Sequence, residues 1–262
     1  MSDPIILEVA DGIATLTLNR PDDRNALSAE MSGAIVDAVR ELEDRDDVRC
    51  LVVAGREGTF CAGGDVNAMI QLMSGQAELH EAVDRIQRET SRAVRAVAEF
   101  PLPTVAKVNG VAYGAGANLA IAADVTLAST EAKISFGFRQ VGLAIDTGTS
   151  YLLPREVGVS KAKELVFTGE LLDAEEASDL GLFNHVFEEF EAEADAFVEQ
   201  IATGPTVALR TSKKLIGQGI TQSLRDAQDN EAAAQAAVFE THDHEEGATA
   251  FMENRDPEFE GR

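Results

Sequence analysis

Histidine, cysteine and positive charge are all scarce in this chain of 262 residues. Of the four histidines, His80 and His185 stand alone, and His242 and His244 form an H-x-H pair with no third ligand at metal spacing. Residues i and i+2 of a helix point to different faces, so no metal site is predicted. The two cysteines, Cys50 and Cys61, cannot build a disulfide framework and suit a reducing, cytoplasmic compartment. No apolar run reaches the ~18 residues of a membrane-spanning helix. The opening MSDPIILEVADG carries acid in place of a basic n-region, so no secretory leader is predicted. Lysine and arginine total 22 (6 and 16) against 46 acids, a formal net charge of −24. A field of that sign repels nucleic acid and anionic membrane. The acids are spread along the chain without a tail or block. They read as a surface adapted to high salt, where screening tolerates self-repulsion, in preference to an acidic partner-binding patch.

What is present is enough for a sizeable core, since 45% of residues are apolar. Residues 4–9 and 13–18 alternate β-branched and polar side chains around Asp11-Gly12, a hairpin signal. Ser28 is placed to cap a helix over 29–44, with Met31, Ile35, Val36, Val39 and Leu42 on one face. Buried strands are predicted at 50–55, 104–110 and 125–130, with a further one at 132–138, and an amphipathic helix at 80–99. From 146 onward the pattern is helical, over 146–153, 160–167, 174–180, 188–203, 206–217, 221–238 and 242–253. Strands alternating with helices, then helices alone, imply an α/β core with parallel pairing under a helical cover.

Two glycine-rich loops each join a strand to a helix: REGTFCAGGD at 56–65 and NGVAYGAGANLA at 109–120. Glycine and alanine let backbone approach a ligand, and N–H groups at a helix start have no partner within the helix. Two such donors on one oxygen make an oxyanion hole, worth ~3–4 kcal/mol per donor. The plainer reading of either loop alone is tight helix–strand packing. GAGANL at 114–119 fits a dinucleotide fingerprint only in part, because Leu119 takes the sixth position and no acid ends a strand ~20 residues on. Asp146, between Ile145 and Thr147, reads most simply as a helix cap. Its apolar approach, Leu143-Ala144-Ile145, would also desolvate the carboxylate and raise its pKa, as a general base needs. Cys61 has no histidine near it in sequence and reads as a small packing residue.

Several segments together resemble the enoyl-CoA hydratase/isomerase (crotonase) superfamily. They are LNRPDDRNALS (18–28), GTFCAGGDV (58–66), PTVAKVNGVAYGAGANLAIAADV (103–125), FRQVGLAIDTGTSYLLPREVG (138–158), TGELLDAEEASDLGLFNHV (168–186) and EGATAFMENRDPEFEG (246–261). The resemblance spans essentially the whole chain with the motifs in order. It implies a spiral of ββα turns over about 1–200 and an all-helical region over 201–262 that builds homo-trimers, often paired into hexamers. It implies an acyl-CoA thioester substrate, with coenzyme A arriving as part of that substrate and no permanently bound cofactor. The thioester oxygen is then held by the backbone N–H groups of Gly64 and Ala115, where the family usually has glycine at the second position. Arg24 and Ala26 are implied beside the CoA moiety, and Ala62, Asp65 and Val66 along the first loop.

The departures from the pattern carry most of the information. Hydratases of this family add water with two glutamates, and the matching positions here are Asn118 and Phe138. Asp146 stands where several isomerases of the family carry a catalytic aspartate. The wording is closest to ring-epoxide isomerases of phenylacetate degradation and to Δ3,Δ2-enoyl-CoA isomerases. The expectation is therefore an isomerase with Asp146 shuttling a proton and Asn118 orienting substrate or water. The alternatives are a 2-enoyl-CoA hydratase drawing acid from elsewhere, with Glu57 and Asp65 as candidates, and an acyl-CoA-binding protein without catalysis.

Overall fold

The computed structural model describes residues 3–262, and of 66–69 the backbone alone. β1 (Ile5–Ala10) and β2 (Ile13–Leu18) form the predicted hairpin, with Asp11 and Gly12 both at positive φ in the turn. α1 (Ala29–Glu43) starts at Ser28, whose hydroxyl accepts from the Met31 N–H. β3 (Cys50–Gly55) leads through the first glycine loop to α2 (Val66–Met73), and α3 (Leu79–Arg85) follows. A π turn over Ile86–Thr90 joins α3 to α4 (Ser91–Glu99), so the helix expected over 80–99 is three segments.

β4 (Thr104–Val108), β5 (Val111–Tyr113) and α5 (Ala115–Ala120) form the second glycine-rich unit. β6 (Val125–Ser129), β7 (Lys133–Ser135) and α6 (Thr149–Thr168) come next, with a break at Gly158 between the two helices that the pattern predicts. α7 (Ala174–Asp179) precedes β8 (His185–Phe187), which corrects the expectation of a last third made only of helix. Three residues are too few to show an alternation, and β8 exists because β6 offers it a parallel edge. α8 (Phe190–Ala202), α9 (Thr206–Gly219), α10 (Leu224–Val238) and α11 (His242–Glu253) complete the chain.

The main sheet runs β1-β2-β3-β4-β6-β8 and is parallel except for the first pair. Its period-2 alternation divides the core. Leu16, Leu51, Val53, Ala106 and Ala128 face α1 and α4, while Cys50, Val52, Val105 and Leu127 face Phe190, Ala194 and Val198 of α8. A second ladder runs beside this sheet: Leu27 against Gly64, Cys61 against Ala112, β5 against β7, and Ile134 against Leu172. Each turn of chain thus adds a strand to the main sheet, a short rung to the second ladder and a helix outside. This is the spiral of ββα turns that the resemblance implied, with helices gathered at the C-terminal end.

Candidate active site

The second ladder brings the two glycine loops together. The Cys61 N–H donates to Val111 O (3.0 Å) and the Tyr113 N–H to Cys61 O (2.9 Å), so loop 56–65 runs alongside β5. A Cβ built on Gly63 would stand 2.7 Å from Tyr113 O and 3.7 Å from Ala115 N. The first loop therefore abuts the start of α5. Ala115 opens that helix, where a backbone N–H has no intrahelical acceptor. Gly114 before it adopts φ 54°, ψ −117°, closed to residues with a Cβ. Gly116 serves close approach, since a Cβ there would lie 2.2 Å from Cys61 O.

The first ββα turn is laced to the same loop from its other side. The Leu27 N–H donates to Gly63 O (2.8 Å) and the Ala62 N–H to Arg24 O (3.0 Å). Arg24, Ala26, Ala62, Gly64 and Ala115 thus belong to one assembly. Arg24 and Asn25 both have positive φ, and the fully buried Asn25 holds the turn by donating to Arg56 O and Thr59 O. The one sequence signal for Asn25 is its residue type, since asparagine at a turn tolerates this conformation better than most residues. Asp65 pairs with Arg20 Nη1 at 3.5 Å, and Arg20 also donates to Ala26 O. Val66 opens α2, and its side chain lies outside the described residues.

Asp146 reaches this assembly through Asn118, three residues along α5 from Ala115. Asn118 is fully buried. Its Nδ2 is within hydrogen-bond distance of Asp146 O (3.1 Å), Thr147 Oγ1 (2.6 Å) and Thr149 Oγ1 (2.8 Å). Its Oδ1 accepts from the Thr149 hydroxyl (3.0 Å). All its polar atoms are engaged inside the protein, so it braces the Asp146 turn. That differs from the expected task of orienting substrate or water, because three protein partners (Asp146 O and the Thr147 and Thr149 hydroxyls) surround a carboxamide with no exposed surface.

The Asp146 side chain is half-buried. Burial pushes its carboxyl above the ordinary range, and the hydrogen bond from Thr147 (3.1 Å to Oδ1) opposes that rise. Among the described residues no charged side chain pairs with it. α6 begins at Thr149, and the Thr149 N–H donates to the Asp146 carbonyl, not to its carboxylate, so the carboxylate is not spent as the helix cap. Phe138, at the position of the second hydratase glutamate, is buried with its Cζ 3.9 Å from the Cβ position of Gly114.

The other candidates are not brought to this place. Glu57 is exposed and lines a groove on the α8 side of the main sheet with Glu8, Lys107 and Asp195. Cys61 is fully buried, and burial pushes its thiol up to about 12, so it packs as a small apolar residue. Among the described residues no group of three His, Cys, Asp or Glu could hold a metal ion, and no helix is long and apolar enough to cross a membrane.

Known proteins share both sequence and architecture with this chain. It is 35% identical over 266 residues to the 1,2-epoxyphenylacetyl-CoA isomerase of Escherichia coli K12, covering all of each chain. It is 33% identical over 258 residues to the mitochondrial methylglutaconyl-CoA hydratase of Mus musculus, covering 95% of this chain and 80% of the relative. The crystal structure of an enoyl-CoA hydratase/isomerase from Cupriavidus metallidurans CH34 superposes with a TM-score of 0.89 at 31% identity, over 99% of this chain and 97% of the other. The sequence profile for enoyl-CoA hydratase/isomerase matches residues 8–262. With the ββα spiral and the paired loops in place, these likenesses lead to one conclusion: the chain belongs to the enoyl-CoA hydratase/isomerase family.

Proposed function

We propose that this member of the family is an isomerase of enoyl-CoA or ring-epoxide acyl-CoA thioesters with a single carboxylate base. The thioester oxygen is held between the N–H groups of Gly64 and Ala115, and Asp146 moves the proton. Arg24, Ala26, Ala62, Asp65 and Val66 line the path of the CoA moiety and the mouth of the hole. On a 3-enoyl thioester, Asp146 takes a proton from C2. The electron pair moves onto the thioester oxygen, where the two N–H groups stabilise the dienolate. The same carboxyl returns its proton at C4, and the double bond ends between C2 and C3. One carboxyl group serves as base and then acid, and no water is consumed.

The observation that carries this reading is the company Asp146 keeps. It is one half-buried carboxylate on a turn braced from α5, the helix that also presents the Ala115 N–H, while positions 118 and 138 offer no acid. The E. coli relative bears an isomerase name, and so does the trans-2-decenoyl-[acyl-carrier-protein] isomerase of Streptococcus mutans, 31% identical over 260 residues. The mouse relative, a hydratase by name, makes hydration the rival outcome. Self-assembly into trimers or pairs of trimers suits the C-terminal helices, which leave Ile216, Leu224, Phe239 and Phe251 exposed. A cytoplasmic enzyme with an acidic, salt-adapted surface fits the charge balance.

The test offers purified protein, in high salt, a 3-enoyl-CoA, a 2-enoyl-CoA and a ring-epoxide acyl-CoA. Product mass and chromatographic mobility are followed together. Isomerisation changes mobility at constant mass, whereas hydration adds a water. Water gain on the 2-enoyl substrate alone would sink the isomerase reading. Asp146→Asn is expected to cut isomerisation by about 10²–10⁴-fold with binding nearly intact. Wild-type turnover in that variant would reduce Asp146 to a structural residue.

A further inference from the structure

Thr147 is buried, 5% exposed, and holds φ at 47°, a left-handed conformation that β-branched residues rarely adopt. Glycine or asparagine would take that conformation with less strain, yet neither could place a hydroxyl there. The Thr147 hydroxyl lies between two groups whose roles are fixed by chemistry. Asn118 Nδ2, 2.6 Å away, can only donate. Asp146 Oδ1, 3.1 Å away, belongs to a carboxylate that can only accept when ionised. The hydroxyl must therefore accept from Asn118 and give its one hydrogen to Asp146. Asn118 is held in turn by Thr149, whose hydroxyl donates to Asn118 Oδ1 at 3.0 Å.

We infer that Thr147 is a positioning residue for the Asp146 carboxylate: its hydroxyl, aimed by Asn118, occupies Oδ1 and leaves Oδ2 as the oxygen that takes and returns the substrate proton. This inference rests on the reading of Asp146 as the base. The strained backbone at Thr147 fits such a purpose, since strain of this kind persists where neighbouring contacts over-determine a geometry. Among the described residues no ionic group faces Asp146. Burial and the Thr147 hydroxyl are the influences on its proton, and they act in opposite directions. Removing the hydroxyl leaves burial alone.

The test uses the full chain and two readouts, one independent of turnover. Thr147→Val keeps branching and volume and deletes the hydroxyl, and Thr147→Ser keeps the hydroxyl. Carbon NMR titration of the Asp146 carboxyl, assigned by its loss in Asp146→Asn, gives the midpoint directly. The midpoint is expected to move to higher pH in the valine variant and to stay at the wild-type position in the serine variant. The acidic limb of kcat/KM for isomerisation moves with it, and kcat falls about tenfold with KM little changed. Thr147→Ala removes the same hydroxyl and gives the same shift should the valine variant fail to fold. A wild-type midpoint in both variants that lack the hydroxyl overturns the inference. A shifted midpoint in a protein that hydrates but never isomerises would overturn the isomerase reading and leave the Thr147–Asp146 bond standing.

Discussion

Asn118 Nδ2 and Thr147 Oγ1 lie 2.6 Å apart, both buried, although 29 residues separate them in the chain. This contact fastens the turn that carries Asp146 to α5, the helix that opens at Ala115. The proposed base and the proposed oxyanion donor are thereby tied to one short helix, which is what holding reacting atoms in register requires.

Reversing the polarity of that contact has a defined consequence. In Asn118→Asp the new carboxylate can only accept, so the Thr147 hydroxyl turns toward it and leaves Asp146 Oδ1. A second buried negative charge beside Asp146 also raises its pKa. Isomerisation at neutral pH is expected to fall at least about tenfold, with recovery as pH rises. Asn118→Ala, which removes the amide that bonds Thr147, Thr149 and the Asp146 carbonyl and leaves a cavity in its place, is expected to lose about 3 kcal/mol or more of stability by chemical denaturation. Wild-type stability there would show that the network is not a structural brace.

The activity of the unmodified protein should carry the signature of a half-buried base. A base works ionised, so kcat/KM falls as pH drops through its pKa. Burial holds Asp146 above the ordinary aspartate value of 3.8, with the Thr147 bond only opposing that rise. The acidic limb of the pH profile is therefore expected above that value, and it is expected to vanish with the residual activity of Asp146→Asn. A limb that persists unchanged in the variant would assign it to another group.

Gly116 tests whether the two glycine loops act as one body. A Cβ there meets Cys61 O at 2.2 Å and Cys61 Cβ at 2.8 Å, so Gly116→Ala must push the first loop away from α5. Overpacking of this kind costs about 1–3 kcal/mol. The displaced Gly64 N–H would weaken binding of a CoA thioester with an enolate-like oxygen more than it weakens coenzyme A itself. Isothermal titration with both ligands checks this, and equal losses would argue against a shared oxyanion hole.

The net charge of −24 makes a prediction about salt. Self-repulsion acts over a Debye length of ~10 Å at 0.1 M and only ~3 Å at 1 M. Thermal unfolding is expected to shift upward with added KCl, by about 2–4 °C for each kcal/mol of repulsion removed. A Tm independent of salt between these limits would rule out a surface adapted to high salt.

The chain order of side chains determined much of this molecule by itself. Alternation marked β1 and β2, the Asp11-Gly12 turn joined them, and Ser28 capped α1 because each of these signals acts within a few residues. Glycine and alanine in the two loops, and the absence of acid at 118 and 138, were equally legible, since they are statements about residue type. The tertiary structure decided the rest. β5 and β8 are three residues each, too short to carry a period, and exist because neighbouring strands present unpaired edges. The tasks of Asn118 and Thr147 depend on distances of 2.6 and 3.1 Å between groups set by separate elements. A buried carboxamide reads in sequence like one free to meet a ligand. Only packing shows that its three hydrogen-bond partners are already supplied by the protein, and that the hydroxyl beside Asp146 has a single direction left in which to donate.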